Sequence, residues 1–298
     1  MNYKNITIAG SGVLGYQIAF QTAFYGFNVT VYDINDDVIE KTKTKFNTLS
    51  EAYKKDINAT QQQIDETFKN LSYTSDLAEA VKDADLLIEA VPENPSIKID
   101  FYNKLAKVAP KKTVFATNSS TLLPSQFSEA TGRPSKFLAL HLANTIWLHN
   151  TAEIMGHSKT DPKVFTDVIA FAKAIGMLTL PLHKEQPGYI LNSLLVPLLS
   201  AAINLIANNV ADSETIDKTW MKGTGAPLGP LGILDVVGIK TAYNINKIAA
   251  EKTKDPLKIK TVKYLKDNFI DKNRLGVSTG EGFYKYPNPA YQNPDFLK

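Results

Sequence analysis

Asn5-Ile6-Thr7-Ile8-Ala9-Gly10-Ser11-Gly12-Val13-Leu14-Gly15 reads as a short apolar strand running straight into glycines at the spacing G-x-G-x-x-G. A helical pattern over Leu14–Tyr25 follows, and then a second strand, Asn28–Tyr32, which ends at Asp33. Glycines permit the tight turn and the close approach of a phosphate to the backbone. The amino terminus of the next helix offers N–H groups and the positive end of its dipole to an anion. Asp33 stands where a carboxylate would accept hydrogen bonds from both hydroxyls of an adenosine ribose. A 2′-phosphate would be repelled there, and the next arginine is Arg133, far along the chain. Gly10, Gly12, Val13, Leu14, Gly15 and Asp33 are therefore the expected dinucleotide ligands, with NAD favoured over NADP.

Short β-rich runs and helical runs continue to alternate beyond this unit. Strands are expected at Asp85–Ala90, Thr113–Thr117, Phe137–His141 and Ala152–Met155, and helices at Leu77–Lys82, Ser96–Val108 and Pro162–Ile175. Such alternation predicts an α/β fold with a mainly parallel, doubly wound sheet. After His183 the pattern turns almost wholly helical: Tyr189–Asn208, Ser213–Met221, Leu231–Glu251 and Pro256–Asn268. Pro187-Gly188 breaks the chain between the two regimes. The expected domains are a Rossmann domain over 1–185 and an all-helical domain over 186–298. The tail after Phe283, rich in Tyr, Pro and Asn, is expected to form a surface strap.

Composition narrows the function classes. The chain has 298 residues, 44% of them hydrophobic and 21% charged, with a formal charge of only +3, and no basic run is interleaved with aromatics. Nucleic acid is thus not an expected partner. Cysteine is absent, which removes disulfides, thiolate nucleophiles and thiolate metal sites and fits a reducing compartment. No metal site is expected. A strand begins at Asn5, leaving no room for a leader segment, so a cytoplasmic enzyme is expected. The uncharged stretch from Gln186 to Ala211 carries Asn192, Ser193, Pro197, Ser200 and Asn204, too polar a set for a membrane-spanning helix. A buried or subunit-facing helix is expected instead.

Among the four histidines, His141 closes the apolar run Phe137-Leu138-Ala139-Leu140 at the carboxyl end of a strand. That is the edge at which open α/β sheets bind ligands. Imidazole, with an unperturbed pKa of about 6.5, suits the base that takes a hydroxyl proton as a secondary alcohol loses hydride.

Eight segments then fall in one order along the chain: GSGVLG at Gly10–Gly15, EAVPEN at Glu89–Asn94, NSSTL at Asn118–Leu122, HLAN at His141–Asn144, AEIMGH at Ala152–His157, PGYILNSLL at Pro187–Leu195, GAPLGPLGILDVVG at Gly225–Gly238 and LGVSTGEGFYKY at Leu275–Tyr286. In these the chain resembles the short-chain 3-hydroxyacyl-CoA dehydrogenases, including bacterial 3-hydroxybutyryl-CoA enzymes of fatty acid, β-oxidation and butyrate metabolism. The resemblance implies interconversion of (S)-3-hydroxyacyl-CoA and 3-oxoacyl-CoA with NAD. It implies that His141 is the general base or acid, paired with Glu153. Ser120 and Asn192 would bond the substrate near the reacting carbon, Asn192 coming from the second domain. Asn144 would meet the nicotinamide side of the cofactor, with Glu93 and Lys98 along its ribose. A homodimer through the helical domain is implied as well, and the uncharged helix around Leu194–Ile206 supplies apolar surface for it.

Three motifs depart from the family's pattern. The histidine motif there commonly reads HFFNP, against His141-Leu142-Ala143-Asn144-Thr145 here. Ser193 stands where an arginine often follows the asparagine, and Ser278 where a lysine often approaches the cofactor. Lysines 41, 43, 45, 54 and 55, in the long excursion between Asp33 and Leu71, are candidates to meet CoA phosphates from a helical hairpin. The smaller side chains after His141 keep a second reading open: a dehydrogenase of a non-CoA hydroxy acid, of the carnitine or gulonate kind. A catalytically silent nucleotide-sensing scaffold is the remaining alternative.

Overall fold

The computed structural model describes residues 2–298, which divide into two compact units, the first ending at Ile190 and the second running from Leu191 to Lys298. The first carries eight strands: β1 (Asn5–Ala9), β2 (Asn28–Tyr32), β3 (Leu71–Thr74), β4 (Leu86–Glu89), β5 (Val114–Thr117), β6 (Phe137–Leu142), β7 (Thr151–Met155) and β8 (Leu178–Leu182). They form one sheet in the order β3-β2-β1-β4-β5-β6-β7-β8. Every pairing is parallel except β6 with β7. The order reverses on either side of β1, so the crevice outside β1 and β4 is the switch point at which such sheets bind ligands.

Six helices cover the sheet: α1 (Gly15–Phe24), α2 (Asp36–Ile57), α3 (Gln61–Lys69), α4 (Leu77–Val81), α5 (Pro95–Val108) and α6 (Pro162–Ala174). The strands are apolar on both faces. Ile6, Ile8, Ile88, Ala116 and Leu140 pack on one side with Ile18, Phe46 and Val168, while Leu87, Phe115 and Phe137 pack on the other with Phe101, Tyr102 and Leu105. Two-sided burial is what a parallel sheet wrapped by helices requires. The excursion after Asp33 is the hairpin α2–α3. Its first helix starts at an Asn35 cap, and its second at a Thr60–Gln63 capping box.

Strand β8 was not expected. Pro181 and the half-exposed pattern of Leu178–Leu182 hide it, and it is tolerated because β8 is an edge strand. The division after Ile190 falls beyond the Pro187-Gly188 break because Tyr189 and Ile190 bond back into the first unit. The Tyr189 hydroxyl donates to the Ser119 carbonyl at 2.8 Å and the Ile190 N–H to Glu153 Oε1 at 2.8 Å.

The second unit has five helices: α7 (Tyr189–Ala207), whose first two residues still belong to the first unit, α8 (Ser213–Thr224), α9 (Pro230–Val237), α10 (Ile239–Thr253) and α11 (Pro256–Asn268). The expected single helix Leu231–Glu251 is two, broken at Gly238, whose φ of +94° stops the first and redirects the chain. Helix α7 carries Pro197 and, by length and composition alone, is long and apolar enough to cross a membrane, with a mean hydropathy of 2.0. Its polar residues do not disqualify it on that measure, contrary to the sequence expectation. Leu199 and Ile203 of α7 nonetheless pack with Leu234, Ile239 and Leu265 in the core of the second unit.

Two buried aspartates hold this unit together. Asp217 accepts from the Leu231 and Gly232 N–H groups, at 2.9 Å each, and from the Tyr284 hydroxyl. Asp235 accepts from the Phe283 and Tyr284 N–H groups, at 2.9 Å each, and from the Tyr286 hydroxyl at 3.1 Å. The strap after Phe283 is thereby pinned, and Tyr284 and Phe296 are buried rather than lying on the surface. Asp235→Ala removes the acceptor of three buried or half-buried donors and is expected to destabilise the protein by about 3 kcal/mol. Asp235→Asn, which keeps one acceptor oxygen, is expected to lose less. Urea unfolding followed by tryptophan fluorescence ranks the two, and an equal, negligible loss in both would refute the pinning.

Candidate active site

Glu89 is the only charged residue of Leu86-Leu87-Ile88-Glu89, and it is fully buried. Its carboxylate accepts from the Lys98 ammonium at 2.6 Å, the Thr117 hydroxyl at 2.8 Å, the Tyr102 hydroxyl at 3.0 Å and the Val91 N–H at 2.8 Å. Burial and the Glu89 charge hold the Tyr102 hydroxyl well above its ordinary pKa, so it remains a donor. Lys98, 1% exposed, is the counter-ion of Glu89 and also lies 3.4 Å from Glu93. The Lys98 ammonium faces Glu89 and braces the carboxyl ends of β4 and β5.

Glu93 grips the loop after β5. Its Oε1 accepts from the Ser119 hydroxyl at 2.6 Å, from the Ser120 and Thr121 N–H groups at 3.1 Å each, and from the Thr121 hydroxyl. Burial disfavours the Glu93 charge, yet the Ser119 hydrogen bond, the Lys98 charge and Thr121 outweigh it and hold the carboxyl below its ordinary value. The grip therefore persists at neutral pH and weakens only as pH falls through that lowered value. Ser120 is left exposed at the tip of this loop.

The antiparallel register of β6 and β7 places His141 directly opposite Glu153. Both are buried, and Nδ1 of the ring lies 3.0 Å from Glu153 Oε2. A carboxylate only accepts, so Nδ1 carries the proton and Nε2 holds the lone pair of a base. Glu153 Oε1 is bonded by the Ile190 N–H, which leaves the carboxylate little freedom to turn. The Tyr189 ring stacks on the imidazole at 4.6 Å and 23°. Burial first, and then the charges of Glu93, Glu153 and Glu89, push the Tyr189 hydroxyl far above its ordinary pKa. It stays a donor to the Ser119 carbonyl and fixes the ring against which His141 rests. Tyr189 itself has a φ of +56°, in the left-handed region.

The nucleotide turn is shaped for a dinucleotide. At Gly10, with φ +94°, a Cβ would lie 2.7 Å from the Ala90 carbonyl oxygen, and at Gly15 a Cβ would meet the Gly10 carbonyl oxygen at 1.8 Å. At Gly12 a Cβ would meet nothing, so that glycine faces open space. Helix α1 starts with no side-chain cap and no acid in its first turn, so its leading N–H groups are left for an anion. A cleft of about 490 Å³ opens beside Gly10, Asp33, Val38, Lys45 and Phe101. Asp33 Oδ2 accepts from both the N–H and the hydroxyl of Ser11, and Oδ1 accepts from the Ile34 N–H. One of its roughly four acceptor positions is left, so a second ribose hydroxyl would need the Ser11 hydroxyl to turn aside. Val13 is exposed and Leu14 half-buried at the helix start.

Asn144 Oδ1 accepts from the side chain of Gln17. Asn192 lies in the first turn of α7, half-exposed. Sequence reading missed Gln17, Tyr189 and the Glu89 cluster. The available signal was a polar or charged residue on an otherwise apolar strand or buried helix.

Comparison with known proteins gives this arrangement its family. Residues 5–186 match the 3-hydroxyacyl-CoA dehydrogenase NAD-binding domain, and residues 188–286 match the 3-hydroxyacyl-CoA dehydrogenase C-terminal domain. The chain is 33% identical to human mitochondrial hydroxyacyl-coenzyme A dehydrogenase, over 95% of this chain and 91% of that protein. It is 28% identical to a probable 3-hydroxybutyryl-CoA dehydrogenase of Bacillus subtilis, over 96% and 98%. It superposes on a diketoreductase, a structure concerned with substrate-directed dual catalysis of dicarbonyl compounds, with a TM-score of 0.91. That protein is 54% identical, with 96% of this chain and all of that one covered. With both domain families matched in order over nearly its whole length, the chain belongs to the NAD-dependent 3-hydroxyacyl-CoA dehydrogenase family.

Proposed function

We propose that the protein interconverts a 3-hydroxy and a 3-oxo acyl compound, with His141 as proton donor in reduction and base in oxidation. The buried His141–Glu153 pair is the observation that carries this reading. NADH, held at the glycine turn and Asp33, would supply the hydride for the carbonyl carbon. His141 Nε2 gives the proton that the new alkoxide takes up, and Glu153 stabilises the imidazolium and holds its tautomer. Ser120 and Asn192 are assigned to the substrate. Glu93 acts by holding the loop of Ser120, and Lys98 by bracing Glu89. The cysteine-free composition fits a reducing, cytoplasmic setting.

The acyl group is read as a CoA thioester on family membership. A second reading, a free dicarbonyl or hydroxy acid, is favoured by two observations. The 54% identical relative is a diketoreductase. In addition, the hairpin α2–α3 is fastened where the family would meet CoA: the Trp147 indole N–H donates to Asp56 at 2.9 Å, and its ring packs 5.4 Å from Tyr53.

NADH oxidation with acetoacetyl-CoA, and with acetoacetate esters or simple 1,3-diketones, separates the readings. A kcat/KM at least tenfold higher for the thioester supports CoA recognition, and the reverse order supports the second reading. His141→Ala is expected to lower kcat by ~10²–10⁴-fold with whichever substrate is used. Glu153→Gln cannot accept from both the imidazole and the Ile190 N–H, and a loss of at least ~10-fold is expected. Unchanged turnover in both variants would sink the mechanism.

A homodimer is proposed through the second unit, where Leu194, Leu205, Ile245 and Ile248 are exposed apolar residues. Light scattering should give twice the chain mass, reduced to the monomer by Leu194→Glu with Ile248→Glu. A monomeric wild type would dispose of it.

A further inference from the structure

Gln17 is a polar side chain on the buried helix α1, 3% exposed. Its Nε2 donates to the Val13 carbonyl at 2.8 Å and to Asn144 Oδ1 at 2.6 Å. Its Oε1 accepts from the Thr145 N–H at 2.8 Å and from the Ile146 N–H at 3.4 Å. A carboxamide has a donor end and an acceptor end, and here the main chain decides which is which. The Val13 carbonyl can only accept and the Thr145 N–H can only donate. The end that faces Asn144 is consequently an NH2 group, and Asn144 can answer it only with its carbonyl oxygen. The Asn144 NH2 group is thereby directed elsewhere, and it hydrogen-bonds to none of the described residues.

We propose that Gln17 is a positioning residue for the cofactor: it locks the Asn144 amide so that an N–H donor, never the carbonyl, meets the carboxamide oxygen of the nicotinamide. The proposal rests on the reading of Asn144 as a contact of the nicotinamide end. Without Gln17 either end of the Asn144 side chain can face the ligand, and an unfavourable acceptor–acceptor encounter becomes available.

Thr145 completes the device. Its N–H is the donor that sets the orientation of Gln17, and its φ is +60°. The proline common at this place in the family has no N–H and a φ near −65°, so it can do neither. Gln17 and Thr145 thus form a matched pair, and the replaced proline is part of how this chain holds Asn144.

The test is NADH binding without substrate, followed by fluorescence titration, in wild type, Gln17→Met, Gln17→Glu, Asn144→Ala and the double variant Gln17→Met/Asn144→Ala. A single hydrogen bond is worth about 0.5–1.5 kcal/mol, so Asn144→Ala and Gln17→Met should each raise the Kd roughly 3–10-fold. Gln17→Glu offers Asn144 only acceptors, draws its NH2 inward and should weaken binding at least as much. In the Asn144→Ala background Gln17→Met should have no further effect. Equal losses from Gln17→Met in both backgrounds, tracking its loss of Tm, would mean that Gln17 is only a packing residue, and would overturn the coupling. An unchanged Kd in Asn144→Ala with a raised KM for substrate would instead overturn the reading of Asn144 itself, and the proposal with it.

Discussion

A carboxylate buried at the end of a central strand has to be surrounded by donors, and the carboxyl edge of this sheet is organised around that demand at Glu89. An unpaired ion there would cost several kcal/mol, and removing one partner of such a pair typically costs about 3–5 kcal/mol. Lys98 from α5, Thr117 from β5, Tyr102 and the Val91 amide meet the requirement together. The consequences travel outward. Thr117 accepts from the Ser119 N–H, Ser119 is gripped by Glu93, and the Ser119 carbonyl takes the Tyr189 hydroxyl. Tyr189 then stacks on His141. A fully buried charge thus sets the loop bearing Ser120 and the ring beside the candidate base.

The parts of this design that were legible in the sequence are those with a local signature. Strand β1, the glycine turn and Asp33 could be read because a tight turn and a strand period leave residue types at fixed offsets. His141 and Glu153 became a pair only through family spacing, since twelve residues of separation say nothing about a cross-strand register. The places where the reading differed are set by tertiary context. The ion pair of Lys98 with the buried Glu89 is set by packing that no local pattern records. Strand β8 lies on an edge where Pro181 is harmless, and Gly238 divides a helix that periodicity alone joins.

The second unit follows the same logic on a smaller scale. Its cores are modest, and Asp217 and Asp235 tie two glycine-rich segments to helices α8 and α9 in one framework. Gly229 leaves no room for a Cβ beside Asp217, and Gly276 and Gly282 leave none beside Asp235. Gly229 and Gly282 therefore record close packing around two carboxylates, and Gly276 close packing on the Asp235 main chain. Those carboxylates accept from main-chain N–H groups, so the surrounding side chains can vary while the framework stays.

The loop after His141 departs from the family's common HFFNP, and its bonds show how the segment is held instead. HLANT in place of HFFNP removes two aromatic rings and a proline, which alone would loosen the segment. Instead the loop is fastened from two helices. Gln17 of α1 holds Asn144 and Thr145, and Asp56 of α2 holds Trp147. Aromatic packing has been exchanged for directional hydrogen bonds, which fix an orientation more tightly than they fill a volume. Leu142 is buried in the core of the first unit beside Leu140 and Ala152. The new bonds bear on the cofactor end through Asn144. The segment is thus fixed by a main-chain N–H at Thr145 that a proline could not supply, and its register on α1 is set by one buried carboxamide.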